Sequence, residues 1–474
     1  MKKNTLLLGG ARAVNPDNMA QALQQAIEIE IATIPTYLYT YYSINRTPDQ
    51  SAIQAAMLKG LLKTGMPKED AEPKALELSA MIMVYANKAG AVIMSVVVEE
   101  MLHMALSSNV KQAIVGMPDL VDKSPGEWPA YLPGHEPPFP INLASFSLDQ
   151  LYTFLQIESP KPITGKRDKA TAIPYVTIGE FYGMIEKAIK KFYPNDDQYN
   201  TKAAQLTPGR GYYAHNNINT NYYNKVHKPQ EVNANDSGDL VHVVDCNSAL
   251  KALKEIVDQG EGAGGNKLNP DGSVNCRNLN EPGDFDDPKH KELAHFDKFN
   301  LLYCELTALQ KHFQESLKDP SFDVKSLFVI DVPLNPTTAD YPAPVQDLSN
   351  LTNAVYSYVF IMTEACYRKA GNTQFEIFMM GIHKTMLWIL SSLCSEMVTV
   401  SYIGSDGVTR MAGPTFENWE FNAASSPKQQ VIALYNQAVG SNSSISYIGP
   451  RILDLPDVPV APYQEEDPGK PILD

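Results

Sequence analysis

The sequence has few cysteines, no cluster of basic residues and no long uninterrupted apolar segment. Its five cysteines are scattered, odd in number and without a CxxC pair, so neither a disulfide framework nor a zinc ribbon is indicated. Buried thiols are the expectation for Cys246, Cys276, Cys304, Cys366 and Cys394. A net charge of −15 without runs of Lys and Arg argues against nucleic acid or an anionic membrane as a partner. A small molecule is the expected partner.

Membrane insertion and secretion are not expected either. Charged residues such as Glu99 and Glu100 interrupt the apolar stretches before they reach the roughly 18 residues that a membrane-spanning helix needs. The N-terminal MKKNTLLLGG has only three leucines before its glycines, which is too short for the apolar part of a secretory signal. The sequence therefore predicts a cytoplasmic protein.

Apolar residues at helical spacing dominate what the sequence does contain. Helix A is predicted at residues 15–44, helix B at 76–115, helix C at 177–193 and helix D at 291–313, with further helices at 348–370 and 375–398. Pro35 is expected to kink or break helix A. Thr177 and Glu180 have the spacing of a capping box at the start of helix C. The predicted fold class is all-α.

Helix B carries an unusual charged group in the run SVVVEEMLHM. Glu100 and His103 are three residues apart and share one face of a helix, whereas Glu99 is expected to point elsewhere. Valines and methionines surround the pair, and an unpaired buried carboxylate costs several kcal/mol, a cost that a bound metal would remove. A Glu-x-x-His pair in a four-helix bundle, with a lone Glu on a neighbouring helix, is the arrangement that holds two iron or manganese ions.

Helix A offers the lone glutamate. Glu30 lies among isoleucines in AIEIEIATIPTYLYTYY, and Glu28 is the alternative. Thr33 and Tyr37 follow Glu30 on the same helix face, so we predict that they line the cavity and take part in catalysis. Core packing is the competing interpretation of these aromatic residues.

Helices C and D offer the remaining ligands. Glu180 is the candidate on helix C, although a glutamate in a first turn is often only a capping partner. Glu292 and His295 form a second Glu-x-x-His pair, and Glu261 competes with Glu292. HKELAH is not the HExxH of zinc proteases. The order Glu, Glu-x-x-His, Glu, Glu-x-x-His on four helices is that of a ferritin-like di-metal site. A carboxylate-rich set favours iron, with manganese as the alternative, over zinc or copper.

At these residues the chain resembles the ferritin-like domain of the iminophenyl-pyruvate dimer synthase type, which occurs in violacein- and rebeccamycin-type chromopyrrolate synthases. The similar stretches, between about residues 20 and 420, include IEIEIATIPTYLYTYYSI, VVVEEMLHMALSSNV, FLQIESP, YVTIGEFYGMI, VDQGEG and ELAHFDKF. The resemblance implies metal ligands at Glu30, Glu100 and His103, completed by Glu180, Glu261 and His295. It raises Glu261 level with Glu292. Ile31 departs from the family, which often has a histidine there.

The predicted organisation is a ferritin-like four-helix bundle with long loop insertions and additional C-terminal helices. The bundle covers residues 15–313 with insertions at 117–175 and 194–250, further helices cover 314–440, and a Pro-rich extended tail covers 441–474. The predicted function is a di-iron oxidoreductase that uses dioxygen on a small, possibly amino-acid-derived, organic substrate. Iron or manganese storage and a structural module with a decayed site are the alternatives, and a homo-oligomer remains open.

Overall fold

The computed structural model describes residues 13–159, 173–209, 240–260, 268–269, 272–276, 294–404 and 406–459. The described chain is mainly helical. Its α-helices are α1 Met19–Tyr42, α2 Gln50–Lys63, α3 Lys68–Ile114, α4 Leu148–Ile157, α5 Ile178–Phe192, α6 Cys246–Gly260, α7 His295–Leu317, α8 Ala343–Cys366, α9 Gly371–Met397, α10 Pro427–Ser441 and α11 Gly449–Leu453. Short 3₁₀ helices cover Asp196–Gln198, Val324–Leu327, Thr338–Asp340 and Ser443–Ile448. Two strands, β1 Ser401–Ile403 and β2 Thr409–Met411, form an antiparallel hairpin.

The long pair α1 and α3 forms the centre of the fold. Pro35 was predicted to kink or break this helix; it lies inside α1 without ending it, so the break does not occur. Every residue from Ile29 to Tyr42 is buried, and this packing offsets the roughly 3 kcal/mol that an internal proline costs a helix. Helix α3 has 47 residues and begins eight residues before the predicted helix B, at Lys68 instead of residue 76.

Among the described residues, two helices are long and apolar enough to cross a membrane by length and hydropathy alone, α3 and α9. The most apolar window of α3 is 78% buried inside the protein, because α1, α2, α6 and α7 pack around it. The central helix of a bundle is buried on most sides, so α3 is apolar over a longer stretch than was expected from the sequence.

The region 117–175, predicted as a connection, contains a core helix. Ser147 caps α4 by accepting a hydrogen bond from the backbone N–H of Gln150, and Leu151, Phe154 and Leu155 are fully buried. Helix α4 packs against α7, while α6 packs against α3 and α5. Helices α1, α3, α4 and α7 enclose the interior region in which the predicted ligands Glu30, Glu100, His103 and His295 lie.

The C-terminal helices pack on one another: α8 contacts α9 and α10. Helix α9 contains two π-helical segments, Ile377–His383 and Thr385–Leu390. The predicted extended tail begins with helical structure instead, because Ile445, Ile448 and Ile452 bury their side chains along Ser443–Ile448 and α11. Residues 460–474 of that tail lie outside the described residues.

Two cysteines are bonded, which corrects the expectation of thiols throughout. Cys276 and Cys304 form a disulfide with their Cα atoms 5.6 Å apart. Twenty-eight residues separate them in the chain, so only the fold brings them within the distance that a disulfide requires. Cys366 and Cys394 are buried free thiols, and Cys246 is half-buried.

Candidate metal centre

Acidic and imidazole side chains from four helices meet in the interior. They are Glu30 of α1, Glu100 and His103 of α3, Glu158 directly after α4, and His295 at the start of α7. None of the five is more than 3% exposed. Glu100, His103 and His295 each offer a ligand atom within 4.8 Å of the other two. Five ionisable groups at this depth need either protons or a cation to balance their charge.

His103 directs Nδ1 at two carboxylates of the site. The distances from Nδ1 are 3.5 Å to Oε2 of Glu30 and 4.0 Å to Oε1 of Glu100. On the opposite side of the ring, Nε2 lies 2.8 Å from the side-chain oxygen of Gln259 on α6. An amide oxygen only accepts hydrogen bonds, so Nε2 carries the proton and Nδ1 is left to face the carboxylates.

His295 repeats this arrangement from α7. Its Nδ1 lies 2.9 Å from Oε1 of Glu100 and 3.6 Å from Oε1 of Glu158, while Nε2 lies 2.7 Å from Oε2 of Glu99. The two imidazole rings stack at 24° with centroids 5.2 Å apart. Despite its closeness to Glu100, Nδ1 of His295 makes no aligned hydrogen bond to any of the described residues. A ring nitrogen and a carboxylate oxygen that lie this close without an aligned hydrogen bond are typical of two ligand atoms directed at the same metal ion.

Hydroxyl groups donate hydrogen bonds to the three carboxylates of the site. Thr33 donates to Oε2 of Glu100 at 2.8 Å, and Tyr37 donates to Oε1 of Glu158 at 2.5 Å. Tyr182 of α5 donates to Oε1 of Glu30. In Glu30 and Glu100 one oxygen is thus held by a hydroxyl and the other faces the histidines. This is the support that orients metal-binding carboxylates in proteins.

The pKa values show competition for protons in the metal-free site. Burial, with the charges of Glu158 and Glu30, raises the pKa of Glu100 to about 8, against the opposing effect of His295. Burial opposes ionisation of Glu30 as well, yet its contact with His103 lowers the pKa of that carboxyl. Neighbouring carboxylates overcome burial and raise the pKa of both histidines, of His295 most strongly. Protons are therefore shared in a site where divalent cations can replace them.

The donor set fits a metal cation that prefers oxygen and nitrogen ligands. Three carboxylates and two imidazoles from four helices are one carboxylate short of the four glutamates and two histidines of ferritin-like iron and manganese sites. Carboxylate-rich ligation disfavours zinc and copper. The unbonded Nδ1 of His295 is the feature that a cation would satisfy.

The structure does not bring every predicted ligand to this centre. Glu180 is exposed: its carboxylate accepts from the N–H of Val176 at 2.9 Å, and its own N–H donates to Thr177 Oγ1 at 3.0 Å. These hydrogen bonds hold Glu180 at the exposed start of α5, so the structure does not bring this predicted helix C ligand to the metal centre, and α5 contributes Tyr182 instead. Glu261 and Glu292 lie outside the described residues.

Two acidic residues at the site were missed from the sequence. Glu158 directly follows the apolar run LYTFLQI, where a single glutamate at the end of a short helix has no partner at helical spacing. Glu99, expected to point elsewhere, is 4% exposed and contacts His295 and Lys298. It is buried because α7 packs beside this part of α3, so that His295 lies between the adjacent side chains Glu99 and Glu100.

Known proteins are similar to parts of this chain. Dichlorochromopyrrolate synthase of Lentzea aerocolonigenes is 24% identical over 259 residues, which are 52% of this chain and 22% of the synthase, so the chain spans about a fifth of that relative. A crystal structure of a ferritin-like protein from Caulobacter vibrioides covers 80% of this chain and 97% of its own, at 17% identity and a TM-score of 0.41. The sequence profile of the family described as Ferritin-like matches residues 23–304, more than half of the chain. The chain therefore belongs to the Ferritin-like family.

Proposed function

We propose that this protein is a di-metal oxidoreductase that uses dioxygen to oxidise a small organic substrate. The observation that carries the proposal is the buried convergence of Glu30, Glu100, His103, Glu158 and His295 from four helices. Iron is the proposed metal, with manganese as the alternative. The proposed ligands are these five residues together with one of Glu261 and Glu292.

The bound metal would supply the redox chemistry with dioxygen, and the protein would supply a dry, oriented site. Thr33 and Tyr37 act in this proposal as positioning residues, because they hold Glu100 and Glu158. Burial raises the pKa of Tyr37 well above its ordinary value, so its hydroxyl stays protonated and donates to Glu158 throughout the neutral range. Phe154 and Phe299 pack against the ring of Tyr37 and exclude water from this side.

An amino-acid-derived or aromatic substrate is proposed by analogy alone. The support is the distant similarity to a chromopyrrolate synthase, together with sequence motifs of the iminophenyl-pyruvate dimer synthase type. Because the chain spans 22% of that synthase, the synthase reaction as a whole is not assigned to it.

The first experiment is metal analysis of the purified chain, followed by anaerobic ferrous titration and exposure to oxygen. We expect close to two irons per chain and an absorbance change that depends on oxygen. Glu158→Gln should reduce metal uptake, whereas the matched control Glu180→Gln, which keeps its capping hydrogen bonds, should bind as the wild type does.

The outcomes separate the candidate functions. Absence of metal uptake by the wild-type chain would overturn the proposal and leave a structural module. Metal uptake without oxygen consumption in the presence of any amino-acid-derived or aromatic compound would favour storage over oxidation. Equal uptake by Glu158→Gln and the wild type would remove Glu158 from the ligand set.

A further inference from the structure

The two imidazoles of the metal centre have chemically different partners on their outer sides, where Nε2 faces away from the ligand carboxylates. His103 donates from Nε2 to the neutral amide oxygen of Gln259 at 2.8 Å. His295 faces a carboxylate instead, with Nε2 2.7 Å from Oε2 of Glu99. The inner sides of both rings, by contrast, face the same kind of group, a pair of carboxylates.

A buried lysine completes the outer side of His295. Lys298, one helical turn after His295, is 2% exposed, and its Nζ lies 2.9 and 2.7 Å from the two oxygens of Glu99. A buried ion pair is often no more stabilising than apolar side chains of the same size, because both charges lose their hydration. Fold stability alone therefore does not explain the presence of a carboxylate and an ammonium group beside the metal centre.

The carboxylate changes His295 as a ligand in two ways. An ionised carboxylate only accepts hydrogen bonds, so it keeps a proton on Nε2, and Nδ1, which faces Glu100 and Glu158, is the nitrogen that a metal would bind. A carboxylate partner also makes an imidazole a stronger electron donor to a metal than a neutral amide does. Removing such outer partners typically costs about 10- to 100-fold in metal affinity.

We infer that Glu99 and Lys298 are positioning residues that make the metal position at His295 the tighter of two, so that the two ions bind in sequence. This inference rests on the proposed function. The position at His103, whose partner is Gln259, fills second.

The test uses a variant that removes both charges without leaving either one buried alone. Glu99→Gln/Lys298→Met keeps an amide oxygen that accepts from Nε2 of His295, and it gives His295 the same type of partner as His103. The matched control is Lys88→Met/Glu305→Gln. Lys88 and Glu305 also pair α3 with α7, at 2.7 Å, but outside the metal centre.

The probe is Co²⁺ alone, titrated anaerobically into the metal-free chain and followed by visible absorption, with circular dichroism to verify folding. We expect two binding steps in the wild type and in the control. In Glu99→Gln/Lys298→Met the first step should weaken by about 10- to 100-fold while the total uptake stays the same.

A titration curve unchanged from the wild type, or an equal weakening in the control, would overturn the inference and leave the proposed function intact. No Co²⁺ uptake by the wild-type chain would overturn both. If the double variant does not fold, Gln259→Glu replaces it. That variant gives His103 a carboxylate partner and should tighten the second step alone, and an unchanged second step would refute the inference.

Discussion

Metal affinity should rise steeply with pH, because protons compete with the metal for the same carboxylates and imidazoles. The pKa of Glu100 in the metal-free chain is raised to about 8, so at lower pH this carboxyl is mostly neutral and must lose its proton when a cation binds. Each pH unit below the pKa then costs about tenfold in apparent affinity. From about pH 6 to about pH 8, Glu100 alone accounts for an increase of about 50-fold.

The histidines make this dependence steeper. Neighbouring carboxylates raise the pKa of both His103 and His295, so protons compete with a cation for each ring up to a higher pH than for an ordinary imidazole. The assay is anaerobic titration with Mn²⁺ or Co²⁺ across this range in buffers that do not bind metal, with proton release recorded in parallel.

Two variants isolate the contribution of Glu100. Glu100→Gln has no carboxyl proton to lose, so it should bind more weakly at every pH and release about one proton fewer per bound ion. Glu180→Gln, altered at an exposed capping residue, should retain the full pH dependence. A wild-type affinity that does not change with pH would refute this account of the site.

Three further outcomes follow from the same contacts. Glu100→Ala and His103→Ala should each abolish metal binding while circular dichroism shows largely unchanged helical content, and wild-type metal content in both variants would contradict the site assignment. In urea unfolding, the metal-free chain should lose stability as pH rises from about 5 to about 8. The raised pKa of Glu100 means that the folded state holds more protons than the unfolded state in this range. The raised pKa of His295 acts in the same direction above about pH 6.5. Saturating metal should remove this dependence of stability on pH. Tyr37→Phe should destabilise the metal-free chain by about 1.5–3 kcal/mol, the usual contribution of a hydrogen bond to a charged group, and an unchanged urea midpoint would show that Glu158 finds another donor.

The long helices were predictable because their apolar period continues over many turns. Helices α1, α3, α5, α7, α8 and α9 all fall within or overlap the predicted segments. The ten-residue α4 was underestimated because its short apolar pattern lies between Pro-rich stretches, and a short helix gains its stability mainly from tertiary packing. Pro35 was overestimated as a helix breaker for the same reason, since burial on all sides is not visible in a local pattern.

The site was predictable where its residues repeat at helical spacing and not where they follow other rules. Glu100 and His103 are three apart on one helix, and that spacing alone places them together. Glu158 follows the last residue of α4, where no period applies. Glu180 has apolar neighbours in the sequence, but its carboxylate accepts from the backbone N–H of Val176, just before its own helix, and stays exposed. Glu99 shows that the outward face of a helix cannot be assigned before its neighbours are known.

Charge balance argues for one more carboxylate ligand than the described residues provide. Glu99 and Lys298 neutralise each other, so Glu30, Glu100 and Glu158 contribute three negative charges toward two divalent cations with four positive charges. A buried site with an excess charge is costly, and one further carboxylate would remove that excess. Glu261 and Glu292 are the two predicted candidates.

The pair Glu261→Gln and Glu292→Gln tests this argument, because each variant keeps the size of its side chain and removes one charge. We expect one of the two to lose about half of the bound metal, measured as ions per chain after gel filtration, and the other to retain all of it. If both retain two ions per chain, the missing charge comes from an anion of the solvent, and metal content should then depend on the buffer anion. If both lose metal, Glu261 and Glu292 act together, and the site holds more carboxylates than charge balance of two divalent ions requires.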